Sequence, residues 1–138
     1  MRRYGDGMAD TPRFSLSATV LDAPDARELA AFYRRLLGWR VKEDGPDWVM
    51  LAPPEGGAGL SFQTEPHYTR PRWPSAPDEQ QMMLHLDIEV NDLPAAVARA
   101  TSLGATTAAF QPQDDVRVLL DPAGHPFCLF TNPPAADD

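Results

Sequence analysis

The sequence predicts an α+β domain built from two successive βαβββ modules. Three observations carry this. Strand-like and helix-like stretches alternate in the same order twice, the two copies share their helix-capping residues, and a proline-rich segment separates them. The length of 138 residues suits one domain with its own hydrophobic core.

The first copy opens with Phe14 to Leu21, a run with strand character. Asp25 stands at a helix N-cap position, and Glu28 three residues on completes a capping-box pattern. Leu29, Phe32, Leu36 and Leu37 recur at helical spacing and define one apolar face, and Gly38 is the expected stop. Three short strands are predicted next, at Trp39 to Lys42, Trp48 to Ala52 and Gly59 to Thr64. Gly45-Pro46 and the Pro53 to Gly57 stretch are the turns between them.

The second copy repeats the plan. Met82 to Val90 reads as a strand and Asp92 as an N-cap. Leu93, Ala96, Val97, Ala100 and Leu103 form the helix face, and Gly104 ends it. Strands follow at Thr106 to Phe110, Val116 to Leu120 and Pro126 to Thr131, with a turn at Asp121-Pro122-Ala123-Gly124. From N-cap Asp to helix-stop Gly is 13 residues in one copy and 12 in the other. Leu60 to Thr64 aligns with Phe127 to Thr131, so the chain reads as an internal duplication.

The resulting division is a flexible N-terminal segment at 1–12, a first module at 13–65, a linker at 66–80, a second module at 81–132 and a flexible tail at 133–138. Pro66, Pro71, Pro74 and Pro77 keep the linker out of a sheet ladder, because proline lacks the N–H a ladder needs.

Composition narrows the function. A formal charge of −8 leaves no excess of Lys and Arg to neutralise phosphates, so nucleic acid is not an expected partner. No apolar run approaches the ~20 residues of a membrane span. Arg2-Arg3 leads into Tyr4-Gly5-Asp6-Gly7 and not into an apolar stretch, so no export signal is read. The lone Cys128 forms no intramolecular disulfide, and a cytoplasmic location is expected.

Several stretches together resemble the vicinal oxygen chelate superfamily, which contains glyoxalase I, bleomycin-resistance proteins and extradiol dioxygenases. They are Asp25 through Ala31-Phe32-Tyr33 to Leu37-Gly38-Trp39, His85 to Asp92, Leu103-Gly104-Ala105, and Asp121-Pro122-Ala123-Gly124-His125-Pro126-Phe127-Cys128. The resemblance spans roughly residues 14 to 132 and is strongest to the glyoxalase-like branch. It implies an incomplete mixed barrel around a small-molecule cleft, with one helix packed outside each module. It also favours a homodimer.

In metal-using members, four side chains from the first and last strands of each module hold a divalent ion. The corresponding positions here are Ala18, Ser61, His85 and Cys128. Ala18 has no donor atom and Ser61 only a neutral hydroxyl, whereas such ions take carboxylate, imidazole or thiolate. No cofactor is therefore expected, and a divalent metal is the alternative. Asp87 and Glu89 follow His85 at strand period, so Asp87 is placed to orient the imidazole or to act as a third ligand. An enzyme of lyase or dioxygenase type, with His85 as base or metal ligand, is the alternative to pure binding. Cys128 reads as a nucleophile candidate or as a small buried core residue.

Strand alternation supplies the other candidates for the ligand site: Trp48 with Met50, Ser61 with Gln63, and Phe130 with Cys128. From the linker, Trp73 or Arg72 reads either as a lid over the cleft or as an anchor for the linker. His125 is expected to cap its own turn, and His67 to face solvent. The leading expectation is a metal-independent protein that binds a small, partly aromatic ligand, of the kind used in antibiotic sequestration or sensing.

Overall fold

The computed structural model describes residues 11–132; the predicted flexible tail at 133–138, and residues 1–10 of the predicted N-terminal segment, lie outside them. Helix α1 (Ala26–Leu37) starts where its capping residue dictates. The Asp25 carboxylate accepts hydrogen bonds from the Arg27 and Glu28 amides, and Gly38 ends the helix with a positive φ of 72°. Helix α2 (Leu93–Ser102) repeats the device, with Asp92 accepting from the Ala95 amide and a proline in the first turn.

The strands of the first module are β1 (Ala18–Ala23), β2 (Arg40–Asp44), β3 (Trp48–Ala52) and β4 (Gly59–Thr64). Those of the second are β5 (Leu86–Glu89), β6 (Thr106–Thr107), β7 (Val116–Leu120) and β8 (Pro126–Phe130). Each module forms one four-stranded sheet, in the orders β1-β4-β3-β2 and β5-β8-β7-β6. In both, the first strand pairs parallel with the last and the remaining pairs are antiparallel. Two sequence copies have become two sheets of one topology.

Register fixes which residues share a face. Leu21, Val49, Leu51, Leu60 and Phe62 point to the core side of the first sheet, and Phe127, Leu129 and Leu119 to that of the second. All belong to one continuous core. Helix α1 is its centre. Tyr33 stacks on Phe62 of the first sheet at 5.7 Å and meets Phe127 of the second edge-on at 6.1 Å, and Phe32 also reaches Phe127. By alternation the opposite face of each sheet turns away from this core.

One polar link crosses the modules inside it. Asp121, with no exposed side-chain surface, accepts a 2.7 Å hydrogen bond from the Tyr33 hydroxyl. Its carboxylate also accepts from the Ala123 and His125 amides and faces the His125 Nδ1 at 2.9 Å. A buried carboxylate is tolerable only when its oxygens are paired in this way.

Several bounds differ from the sequence reading. Strand β1 begins at Ala18, leaving Phe14 and Leu16 exposed before it. Strand β5 begins at Leu86, so Met82, Met83 and Leu84 stay outside the ladder. Strand β6 has only two residues, because the Gln111 side chain takes over the pairing: it donates to the Ala108 and Val118 carbonyls and accepts from the Val118 amide. The second helix face is shallow, with Ala100 its only buried member.

Two substitutions test this packing. A Cβ at Gly59 would strike the Leu51 carbonyl oxygen across the β3–β4 pair, so Gly59→Ala should lower stability by about 1–3 kcal/mol in urea titration. Tyr33→Phe removes one donor from Asp121 at almost unchanged volume and should cost about 1–3 kcal/mol; a variant as stable as the parent would refute the importance of the link.

Candidate functional site

The principal cavity, of about 670 Å³, lies between the open face of the first sheet and the linker. Val20, Asp22, Trp48 and Gln63 line it from the sheet. Strand pairing sets Trp48 opposite Gln63 and Asp22 opposite Gln63, which puts all three on one face. Trp48 is oriented by a 2.7 Å hydrogen bond from its indole N–H to Glu43. The end of the first module contributes Glu65, the linker His67 and Tyr68, and the segment before β5 Met82, Met83 and Leu84. The apolar run Met82 to Leu84, read from sequence as strand, is thus cavity wall.

A further residue comes from the far end of the second module. His125 reaches the cavity from the turn before β8. Its ring is held between two partners: Nδ1 lies against the buried Asp121 carboxylate, and Nε2 lies 3.3 Å from the Tyr68 hydroxyl. Tyr68 also donates a 2.8 Å hydrogen bond to the Ala123 carbonyl, which pins the linker to the second module. The sequence reading of His125 as a cap of its own turn covers the Asp121 side of this arrangement and misses the cavity side. The available signal was the Asp121/His125 spacing around a glycine turn, with Gly124 at φ 96°.

The other predicted residues fall elsewhere. Met50 and Ser61 share the open face with Trp48 and Gln63 but do not line the cavity. Trp73 packs against Phe110 of the second module at 5.8 Å, and Arg72 pairs with Glu79 within the linker. His85, Asp87, Cys128 and Phe130 stand on the open face of the second sheet, where Asp87 is in register with Cys128. His85 Nε2 is 3.1 Å from an Asp87 oxygen, both side chains being substantially exposed.

The metal positions implied by resemblance divide between the sheets: Ala18 and Ser61 on the first, His85 and Cys128 on the second. Ala18 offers a methyl group. The Ser61 hydroxyl is fully buried without a hydrogen-bond partner among the described residues, an orphan that one neutral oxygen cannot turn into a divalent-ion site. His85, Asp87 and Cys128 bring one donor atom each within 4.8 Å of one another. Burial, and then the charge and hydrogen bond of Asp87, push the Cys128 thiol upward. These residues do not fit the four-ligand site of the metal-using relatives.

Burial and the nearby Asp121 charge push Tyr68 up to about 12, and the same two causes raise Tyr33 well above its ordinary value. The folded state therefore favours the neutral phenols. Their contribution to stability is whole below the unfolded tyrosine value of about 10 and is lost as pH rises through the folded value. Urea titrations at about pH 8 and about pH 11 should show a loss in alkali that is smaller in Tyr68→Phe; identical losses would refute the assignment.

The model of the glyoxalase-like domain family matches residues 18–130. None of the proteins of curated function matches the chain. Among solved structures, a glyoxalase/bleomycin resistance protein/dioxygenase family enzyme from Burkholderia phytofirmans PsJN superposes with a TM-score of 0.66 at 19% identity, covering 86% of this chain and 98% of that one. A glyoxalase-related enzyme from Fulvimarina pelagi gives 0.63 at 18% identity, covering 89% and 94%. The oxidase ChaP-H2 gives 0.61 at 20% identity, covering 91% and 98%. With its duplicated βαβββ sheets and a family match over nearly the whole described chain, this protein belongs to the glyoxalase-like domain family of the vicinal oxygen chelate superfamily.

Proposed function

We propose that this protein binds a small, partly aromatic organic molecule without a metal, as a sequestering or sensing member of its family. The observation that carries this reading is the 670 Å³ cavity walled by Trp48 and the Met82 to Leu84 segment, with a few polar groups at fixed positions. Such a mixture of apolar wall and sparse polar anchors is what small-molecule sites use. The missing donors at Ala18 and Ser61 support metal independence. In this reading the protein acts in the cytoplasm as a homodimer, with neither nucleic acid nor membrane as partner.

A second reading rests on the 3.1 Å His85–Asp87 pair, a carboxylate-oriented imidazole on the second sheet. Here His85 would act as a general base in an enzyme of lyase or dioxygenase type. Loss of turnover in His85→Ala with ligand binding intact would select it over binding alone.

The test begins with protein purified without chelator. Elemental analysis should find no stoichiometric metal, and divalent ions should leave the melting temperature unchanged; a bound equivalent of metal would overturn metal independence. A thermal-shift screen of aromatic small molecules should then yield ligands that stabilise the parent and not Trp48→Ala. At a hundredfold excess over Kd, such a ligand adds about 2.7 kcal/mol.

A further inference from the structure

The hydrogen bonds around His125 specify more than a cavity. Both Asp121 oxygens lie within 3.0 Å of Nδ1, and a buried carboxylate only accepts, so the ring proton of the neutral imidazole sits on Nδ1. That leaves Nε2 as a lone-pair acceptor. The nearest described donor is the Tyr68 hydroxyl at 3.3 Å, but its one proton serves the Ala123 carbonyl at 2.8 Å. The imidazole is largely buried, with 16% of its side chain exposed, and lines the cavity. It therefore presents an acceptor whose donor has to come from the cavity.

Charge selects among donors. Asp22 and Glu65 line the same space, and among the described residues no Lys or Arg does. The Glu65 carboxylate spends one oxygen on the His67 amide, and among the described residues Asp22 accepts only a long 3.5 Å contact from Gln63. Trp48 offers an aromatic face, favourable to a cation, while Val20, Met82 and Leu84 cover an apolar body. Alcohols could satisfy Nε2 but would leave the carboxylates unanswered. An anion would meet both of them.

We propose that the cavity is a receptor for an organic ammonium ion on an apolar or aromatic body, with His125 Nε2 accepting an ammonium N–H and Asp22 and Glu65 supplying the opposing charge. This rests on the small-molecule-binding reading above and narrows its ligand class. The binding is coupled to pH through His125. Once protonated, Nε2 becomes a donor that satisfies Tyr68 and repels the ammonium. The groups facing the imidazole are Asp121 and Tyr68, with Tyr33 behind Asp121. Asp22, Glu65 and His67 complete the cavity, and Arg70 holds the Pro122 carbonyl beside the turn. Acid should therefore weaken binding.

The probes are tryptamine, tryptophol and indoleacetate, which share an indole and differ in the charge of the tail. Isothermal titration at about pH 8 should show tryptamine binding at least about tenfold more tightly than the other two. Lowering the pH to about 5.5 should weaken tryptamine in the parent and not in His125→Gln. Because His125 belongs to a tight turn, Asp22→Asn provides an independent check: it should weaken tryptamine and leave tryptophol unchanged. Equal binding of all three probes, or a tryptamine preference that survives in both variants, would overturn the ammonium assignment while leaving a small-molecule site. No binding of any probe would overturn the cavity reading and this proposal with it.

Discussion

The buried Asp121 carboxylate is the constraint on which the arrangement depends. An ionised carboxylate in a core is costly unless its oxygens are satisfied, and here satisfaction comes from two parts of the chain, helix α1 and the turn before β8. Tyr33 brings helix α1 of the first module. The Ala123 and His125 amides fold the turn before β8 back on itself. The His125 imidazole carries the influence outward to Tyr68 and the linker. Removing any one donor leaves part of a buried charge unsatisfied, so module packing, turn geometry and the cavity wall are set together.

This explains how a duplicated sequence yields an asymmetric site. The two sheets share topology, but only the first has the linker lying across its open face. Tyr68 fastens that linker to the second module through Ala123, and Trp73 does so again through Phe110. A 670 Å³ space is enclosed on one side, while His85, Asp87 and Cys128 on the equivalent face of the second sheet remain largely open. Duplication supplied two similar faces, and the proline-rich connection made them different.

The chemistry follows the same division. His85 with Asp87 and His125 with Asp121 are both imidazole–carboxylate pairs, at 3.1 and 2.9 Å. The first pair is exposed and solvent-screened, so its coupling is weak. The second is buried, its carboxylate satisfied by three further donors and its imidazole tautomer set by that carboxylate, and it opens onto a cavity. Burial, and not the identity of the residues, decides which of the two is poised to meet a ligand.

The sequence by itself determined the helices, the turns and the order of the strands. Asp25, Gly38 and Asp92 act through bonds within a few residues, so local chemistry suffices to place them. Strands β3, β4 and β7 have the bounds read from sequence because turn residues flank them on both sides. The shared face of Trp48 and Gln63 follows from strand period and pairing. The tertiary structure alone decided where the cavity lies, and the physical reason is range. Asp121 and Tyr33 are 88 residues apart, and Tyr68 and His125 are 57 apart, so no local pattern announces their meeting. Met82 to Leu84 carried strand-like hydrophobicity, but their place at the cavity wall, with Met83 and Leu84 exposed, is settled only when the linker and sheet come together.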